Sequence, residues 1–324
     1  MATNGNEEWW KEHLPNDVTE ESFTQEELRL FEVYKISQDF KRVFSIVTMH
    51  TRNMPTLTKD HPEEVIWCIG ICSLDFGDKD RDMRRFVKSV EERVRKLEEA
   101  ERRFQFLTKK WDKNIMRRLL LSWFEGGLVV DPALVTKDGR IMQWVHEYFA
   151  GSYPDKADQT EQWKDEGLQM YVLMVRSILR AYPAVSMRGI VSFSDMKEFD
   201  WEKYDMETKI RMGDLPSLIP HAKLCRMITF HLDERMKEQM ELMGPSIRKK
   251  WGVVMYDNYK EAIEKETSLP DSIPTFVGGS YHVNVLECLK SLFSQEPDAL
   301  NLMLEVYTDL KESGDLPCPP HMQL

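Results

Sequence analysis

The chain has 324 residues, with 44 Lys+Arg against 55 Asp+Glu and a formal net charge of −11. That length leaves room for about two domains of roughly 150 residues, and 42% hydrophobic with 31% charged residues excludes a disordered chain. The longest apolar stretch, Val65 to Cys72, falls far short of the ~20 residues a membrane span needs. Met1 to Lys11 is acidic, holds two tryptophans and lacks the basic start and apolar centre of a secretory signal. Cys68, Cys72, Cys225, Cys288 and Cys318 form an odd, scattered set without a Cys-x-x-Cys pair. Free thiols in a reducing cytoplasm are the simplest expectation. The acidic balance also argues against a nucleic-acid partner.

The first 80 residues read as a helical extension. Thr24-Gln25-Glu26-Glu27 is a capping box ahead of Leu28, Phe31 and Val33. Pro62 with Glu63 and Glu64 marks a helix start before Val65–Leu74. From Met83 to Trp111 the apolar positions Met83, Val87, Val90, Val94, Leu97, Phe104 and Trp111 form a narrow helical stripe. Residues 81–127 make a basic helical subdomain, and Arg81–Arg118 alone holds 14 Lys+Arg against 7 Asp+Glu. A short helix over Asn114–Glu125 stops at Gly126-Gly127.

Beyond Gly127 the pattern changes. A tight Lys137-Asp138-Gly139 turn leads into a predicted strand over Arg140–Phe149. Asp165–Tyr182 reads as a helix with Leu168, Tyr171, Val172, Val175, Ile178 and Leu179 on one face, stopped by Pro183. Further strands are expected over Gly189–Ser194, Lys223–Phe230 and Trp251–Tyr256, with a Met-rich helix over Asp233–Met243. Strands alternating with helices argue for α/β architecture with a mixed or parallel sheet. Two amphipathic helices follow, Tyr281–Phe293 and Asp298–Ser313, in a C-terminal extension over 281–324.

Catalytic signatures are missing. The chain has no G-x-G-x-x-G after a strand, no G-x-x-x-x-G-K-[ST], no G-x-S-x-G and no H-E-x-x-H. Cys68 and Cys72 lie one helical turn apart and could share a metal with His50 or His61, but a buried helix face explains them more simply. Asp195 ends a predicted strand, where α/β enzymes keep catalytic acids; without a partnered base it reads as a turn or cap residue. Neither a cofactor nor catalysis is expected.

Four features of residues 137–279 fit together. The turn and strand Lys137–Ile141 precede the long helix; a strand then ends in Ser194-Asp195-Met196-Lys197-Glu198-Phe199. Gly244-Pro245-Ser246-Ile247-Arg248-Lys249-Lys250 leads into Trp251–Tyr256, and Ser272-Ile273-Pro274-Thr275-Phe276-Val277-Gly278-Gly279 closes the unit. This order and spacing resembles the CRAL-TRIO lipid-binding domain of retinaldehyde-binding, tocopherol-transfer and phosphatidylinositol-transfer proteins. The likeness is carried by roughly 130–280, so the lipid-binding domain is set at 128–280.

The resemblance implies a strand floor with helices enclosing an apolar lipid cavity, preceded by a helical N-terminal region. It selects Gln143 and Val145 on the first strand, Ile190, Ser192 and Ser194 on the second, Met227 and Thr229 on the third, and Trp251 and Val253 on the fourth. Met236, Met240 and Met243, at i, i+4 and i+7, would line a mobile lid. For a headgroup, Lys250 matches the lysine that phosphatidylinositol-binding relatives keep before the fourth strand. Their glutamate falls at His221, which follows Ile219-Pro220 rather than Tyr-Pro. The implied function is non-catalytic binding, and transfer between membranes, of a hydrophobic lipid. The partners are that lipid and, transiently, a membrane surface, toward which the basic segment would be drawn. The alternative is a protein-interaction scaffold that keeps the fold with a vestigial cavity.

Overall fold

The computed structural model describes residues 18–51, 61–76, 82–105, 108–124, 129–136, 138–145, 160–195, 224–231, 234, 237–238, 252–266, 274–275 and 280–317. In chain order the helices are α1 (Gln25–Val33), α2 (Gln38–His50), α3 (Pro62–Phe76), α4 (Met83–Phe104) and α5 (Lys113–Phe124). Strands β1 (Val129–Val135) and β2 (Ile141–Val145) follow, then α6 (Glu161–Ala181), α7 (Pro183–Arg188), β3 (Ile190–Asp195), β4 (Leu224–Phe230) and β5 (Val253–Tyr256). The last helices are α8 (Tyr259–Glu266), α9 (Val285–Leu292) and α10 (Pro297–Ser313). The protein is mixed α/β. It divides into two compact units: Met1–Leu107 with Pro183–Gly189 and Asp214–Lys223, and Thr108–Tyr182 with Ile190–Gly213 and Leu224–Leu324.

The first unit is built around α3. Val65, Ile66, Trp67, Cys68, Ile69, Ile71 and Cys72 are all buried, as expected for a helix that is apolar on every side. Helices α1, α2, α4 and α7 pack against it. Phe31 meets Phe23 and Phe44 edge-on at 4.9 and 5.2 Å, and Phe40 stacks on Phe86 at 5.6 Å. The capping box forms as expected: Thr24 N donates to Glu27 Oε2 at 2.7 Å, and Glu27 N donates to Thr24 Oγ1 at 3.2 Å. The stripe of α4 is also buried, through Met83, Phe86, Val87, Val90, Val94 and Leu97.

The second unit holds a five-stranded sheet in the order β1-β2-β3-β4-β5. β1 runs antiparallel to β2, and every later pairing is parallel. β1 is absent from the sequence expectation because Val-Val-Asp-Pro-Ala-Leu-Val carries Pro132. A proline removes a ladder donor, which an edge strand tolerates and an inner strand does not. The β1–β2 turn forms through Gly139, whose φ of 74° and N–H bond to Thr136 O at 2.9 Å need a residue without Cβ strain. Helix α6 begins at Glu161, capped by Thr160, rather than at Asp165. Pro183 does stop it, but opens the short α7 instead of a loop. The expected helix from Tyr281 begins only at Val285, because Tyr281 bridges to Pro274 and Asn284 caps the helix. Strand β5 begins at Val253, since Gly252 has φ +56°. α8 also goes beyond the sequence expectation.

The helices pack into this unit through specific pairs. Lys113 and Arg117 on α5 reach Glu305 at 2.5 Å and Asp315 at 2.9 Å, tying α5 to the α10 end of the chain. Arg118 lies over the Trp163 ring, 4.1 Å from its centroid, and donates to the Trp163 carbonyl. Gly167 permits that approach, because a Cβ there would meet Arg118 Nη2 at 2.7 Å. Across the sheet, Glu266 of α8 accepts from Arg226 at 2.5 Å and from the Tyr256 hydroxyl at 2.8 Å, joining α8 to β4 and β5. Burial first, and the Glu266 carboxylate second, push the Tyr256 phenol up to about 12.

Tyr256→Phe is expected to lower stability by ~1–3 kcal/mol in urea unfolding at neutral pH, because buried Glu266 loses a donor. The neutral phenol stabilises the fold below its unfolded pKa of about 10, and this contribution is lost as pH rises through its folded value. The gap between wild type and variant should therefore narrow above pH 10.

Candidate functional site

The parallel registers decide which strand residues share a face. Gln143 pairs with Ser192, Ser192 with Met227 and Met227 with Val253, forming one row across four strands. Val145, Ser194, Thr229 and Met255 form the next row, and Ile141 beside Ile190 lies below. Side chains of paired neighbours in parallel strands point the same way, so these residues, Val145 by its backbone register alone, occupy one face. The other face is aromatic: Trp144 stacks on Phe193 at 4.7 Å, and Met142, Val191, Ile228 and Phe230 are buried with them.

The hand of the fold determines what crosses the Ser192 face. Met227 donates its N–H to Gly252 O at 3.3 Å. Viewed from the side to which Met227 points, with strands running upward, the chirality of an L-residue turns its N–H and C=O to the right. β5 therefore lies to the right of β4. If the β2–α6–β3 crossover has the right-handed sense of about 98% of such units, this order puts α6 on the same face. α8 is bound on the opposite face, through Arg226 and Tyr256.

The Ser192 face is mostly apolar but carries a narrow polar band. Gln143, Ser192, Ser194 and Thr229 are each less than a tenth exposed, whereas Met227, Val253 and Met255 are half-buried. Ser192 and Ser194 share a hydrogen bond at 3.3 Å, and Thr229 Oγ1 donates to Val254 O at 3.4 Å. Gln143 is 7% exposed as a residue, and its amide makes no hydrogen bond to the described residues. The band therefore suits a bound polar atom flanked by apolar surface.

The sequence-predicted site divides accordingly. Gln143, Ile190, Ser192, Ser194, Met227, Thr229 and Val253 come together on one face, and the backbone of Val145 joins them. Trp251, Met236, Met240, Met243, His221 and Lys250 lie outside the described residues. Met255 belongs to the band and was missed, although adding two to Val253 would have found it.

Two polar clusters lie elsewhere on the sheet. Asp195, 6% exposed, meets His231 Nδ1 at 3.0 Å at the C-terminal ends of β3 and β4. His231 has φ +56°, a conformation uncommon outside glycine. The pairing assigns Asp195 to a buried contact rather than a simple turn. A cleft of about 150 Å³ opens at the N-terminal side of the aromatic face, lined by Thr136, Asp138, Arg140, Val191, Arg226 and Glu266, among others. Its charges are matched internally, Arg140 to Asp138 at 2.8 Å and Arg226 to Glu266.

Cys68 and Cys72 are fully buried, and burial raises the Cys68 thiol well above its ordinary value. His50 meets Glu91 at 2.6 Å, and His61 meets Glu63 at 3.6 Å. Among the described residues no cluster of His, Cys, Asp or Glu could hold a metal, and no helix is long and apolar enough to cross a membrane. No known protein family matches the sequence, and no curated protein matches it significantly.

Gly252→Ala should cost ~1–3 kcal/mol or more, since a Cβ at φ +56° would lie 2.5 Å from Cys225 O, directly beside the Met227–Val253 pairing. Urea unfolding measures it; unchanged stability would refute the tight β4–β5 approach.

Proposed function

We propose that this protein binds a hydrophobic lipid, without covalent chemistry, on the sheet face that carries Gln143, Ser192 and Thr229. The observation that carries this reading is the largely buried Gln143, whose amide makes no hydrogen bond to the described residues, set in a band of small hydroxyls between Ile190, Met227 and Val253. A lipid with one polar group would supply the missing hydrogen bond and cover the apolar remainder. The sequence resemblance to CRAL-TRIO domains supports the same ligand class, and a sequential, largely parallel sheet is compatible with a strand floor. In this proposal Met236, Met240 and Met243 in the β4–β5 connection supply an adaptable lid, Trp251 adds to the wall, and Lys250 and His221 are headgroup candidates. Exchange of the lipid would take place at a membrane surface.

A scaffold reading draws on one observation. Ser192 is 4% and Thr229 2% exposed, as they would be beneath a solid, closely packed roof with no ligand. Ser192→Trp separates the two. Over a lipid cavity the indole fits at little cost, so the ligand-free protein melts normally and loses its lipid. Over a solid core it overpacks, costing ~1–3 kcal/mol or more. Native mass spectrometry of protein from a eukaryotic host should find a lipid-sized adduct on the wild type and none on Ser192→Trp. A destabilised variant that still carries lipid would refute the assignment of this face.

A further inference from the structure

Helix α4 has a basic stripe that its own unit does not neutralise. Asp82 caps the helix by accepting from the N–H groups of Arg84 and Arg85, but no acidic residue follows in the first turn. Arg84, Arg85 and Lys88 follow at the end where the helix dipole is already positive, and Asp82 pairs there with Arg85 at 3.5 Å. Arg84, Lys88, Arg95 and Arg102 are all exposed and sit at i, i+4, i+11 and i+18. At 100° per residue they fall within about 40° of arc, and at 1.5 Å per residue they form a line about 27 Å long. The buried apolar stripe of α4 occupies the other side.

The pairing of these cations is selective. Arg102 reaches Glu98 at 3.6 Å, whereas Arg84, Lys88 and Arg95 have no ion-pair partner among the described residues. Glu91 beside the stripe is engaged by His50. The later cations of the basic segment behave differently: Lys113 and Arg117 are spent on Glu305 and Asp315, and Arg118 on Trp163. Arg84, Lys88 and Arg95 thus leave three unpaired cations on the outward line of α4, with further exposed lysines of the segment at Lys96, Lys109 and Lys110. A straight line of unpaired cations, in a chain with net charge −11, complements an extended, flat, negatively charged surface. A compact anion would need a cluster of cations around one point.

We infer that the Arg84–Lys88–Arg95 line of α4 docks the protein onto bilayers rich in anionic lipid. The membrane assignment rests on the lipid-binding reading, since a carrier must meet the leaflet from which it draws its ligand. Each cation near an anionic leaflet contributes at most about fivefold to partitioning, and the attraction decays within a Debye length of about 8 Å at physiological salt.

The test is co-sedimentation of the full chain with phosphatidylcholine vesicles, with and without phosphatidylserine, at low and physiological salt. The wild type should prefer the anionic vesicles and lose that preference with salt. Arg84→Gln/Lys88→Gln/Arg95→Gln should weaken anionic binding by about tenfold or more with a melting temperature no lower than the wild type's, because the side chains are exposed. Lys113→Gln should retain full binding. Equal binding to neutral and anionic vesicles, or a triple variant that binds like wild type, would overturn the inference. So would a triple variant that loses affinity only for a single-stranded RNA oligonucleotide, which would assign the stripe to nucleic acid. Lipid occupancy, read by native mass spectrometry on the same samples, separates the two proposals. Docking without a bound lipid would refute the carrier and leave the docking line standing; a lipid-loaded protein indifferent to anionic vesicles would do the reverse.

Discussion

The parallel register that aligns Gln143, Ser192, Met227 and Val253 is the constraint on which the candidate site depends. Strand side chains alternate, so a slip of one residue in any pairing would exchange the two faces of that strand. Trp144 and Phe193 would then enter the hydroxyl band, and Gln143 and Ser192 would enter the aromatic layer. The stacked Trp144–Phe193 pair makes such a slip costly, because both rings are almost fully buried. Gly252 secures the last pairing by letting the β5 backbone approach Cys225 more closely than any side chain would permit.

The two faces of the sheet are held by different physics. The aromatic face is apolar and dense, and its edge at β4 and β5 is tied to α8 by a carboxylate that accepts from both a guanidinium and a phenol. Glu266 is buried while the Arg226 side chain stays 40% exposed, so the carboxylate's cost of burial is offset by its two donors. The Ser192 face breaks the usual economy of a core: it buries hydroxyls and an amide where valine and leucine would pack without penalty. The Ser192–Ser194 bond offsets part of that cost, and Gln143 remains unmatched among the described residues. Locally costly groups retained on a well-ordered sheet mark the places where a fold departs from optimal packing, and such places are where binding is to be sought.

Charge is distributed in the same discriminating way. One basic segment supplies both α4 and α5, yet α5 turns its cations toward Glu305, Asp315 and Trp163 while α4 turns a line of them outward. Those on α5 help to build their unit. Those on α4 contribute little to folding, since exposed charges are worth at most a fraction of a kcal/mol each, and of this line only Arg84 and Lys88 lie near the positive end of the helix dipole.

The sequence by itself determined the local elements: the Thr24 capping box, the start at Pro62, the α4 stripe and the strands around Ile190–Ser194 and Leu224–Phe230. It also determined which residues alternate onto one side of each strand, because period 2 is a property of the backbone. It did not determine β1, where Pro132 obeys a rule that depends on being at an edge, nor the start of β5, where Gly252 takes a left-handed turn. Which strands are neighbours, and in what register, was decided only by the tertiary structure. The same holds for Asp195 with His231 and Arg226 with Glu266, partners separated by dozens of residues. The physical reason is that these contacts arise from long-range chain closure, which local propensity does not encode, whereas capping and amphipathic periodicity act within a turn or two of the residues that carry them.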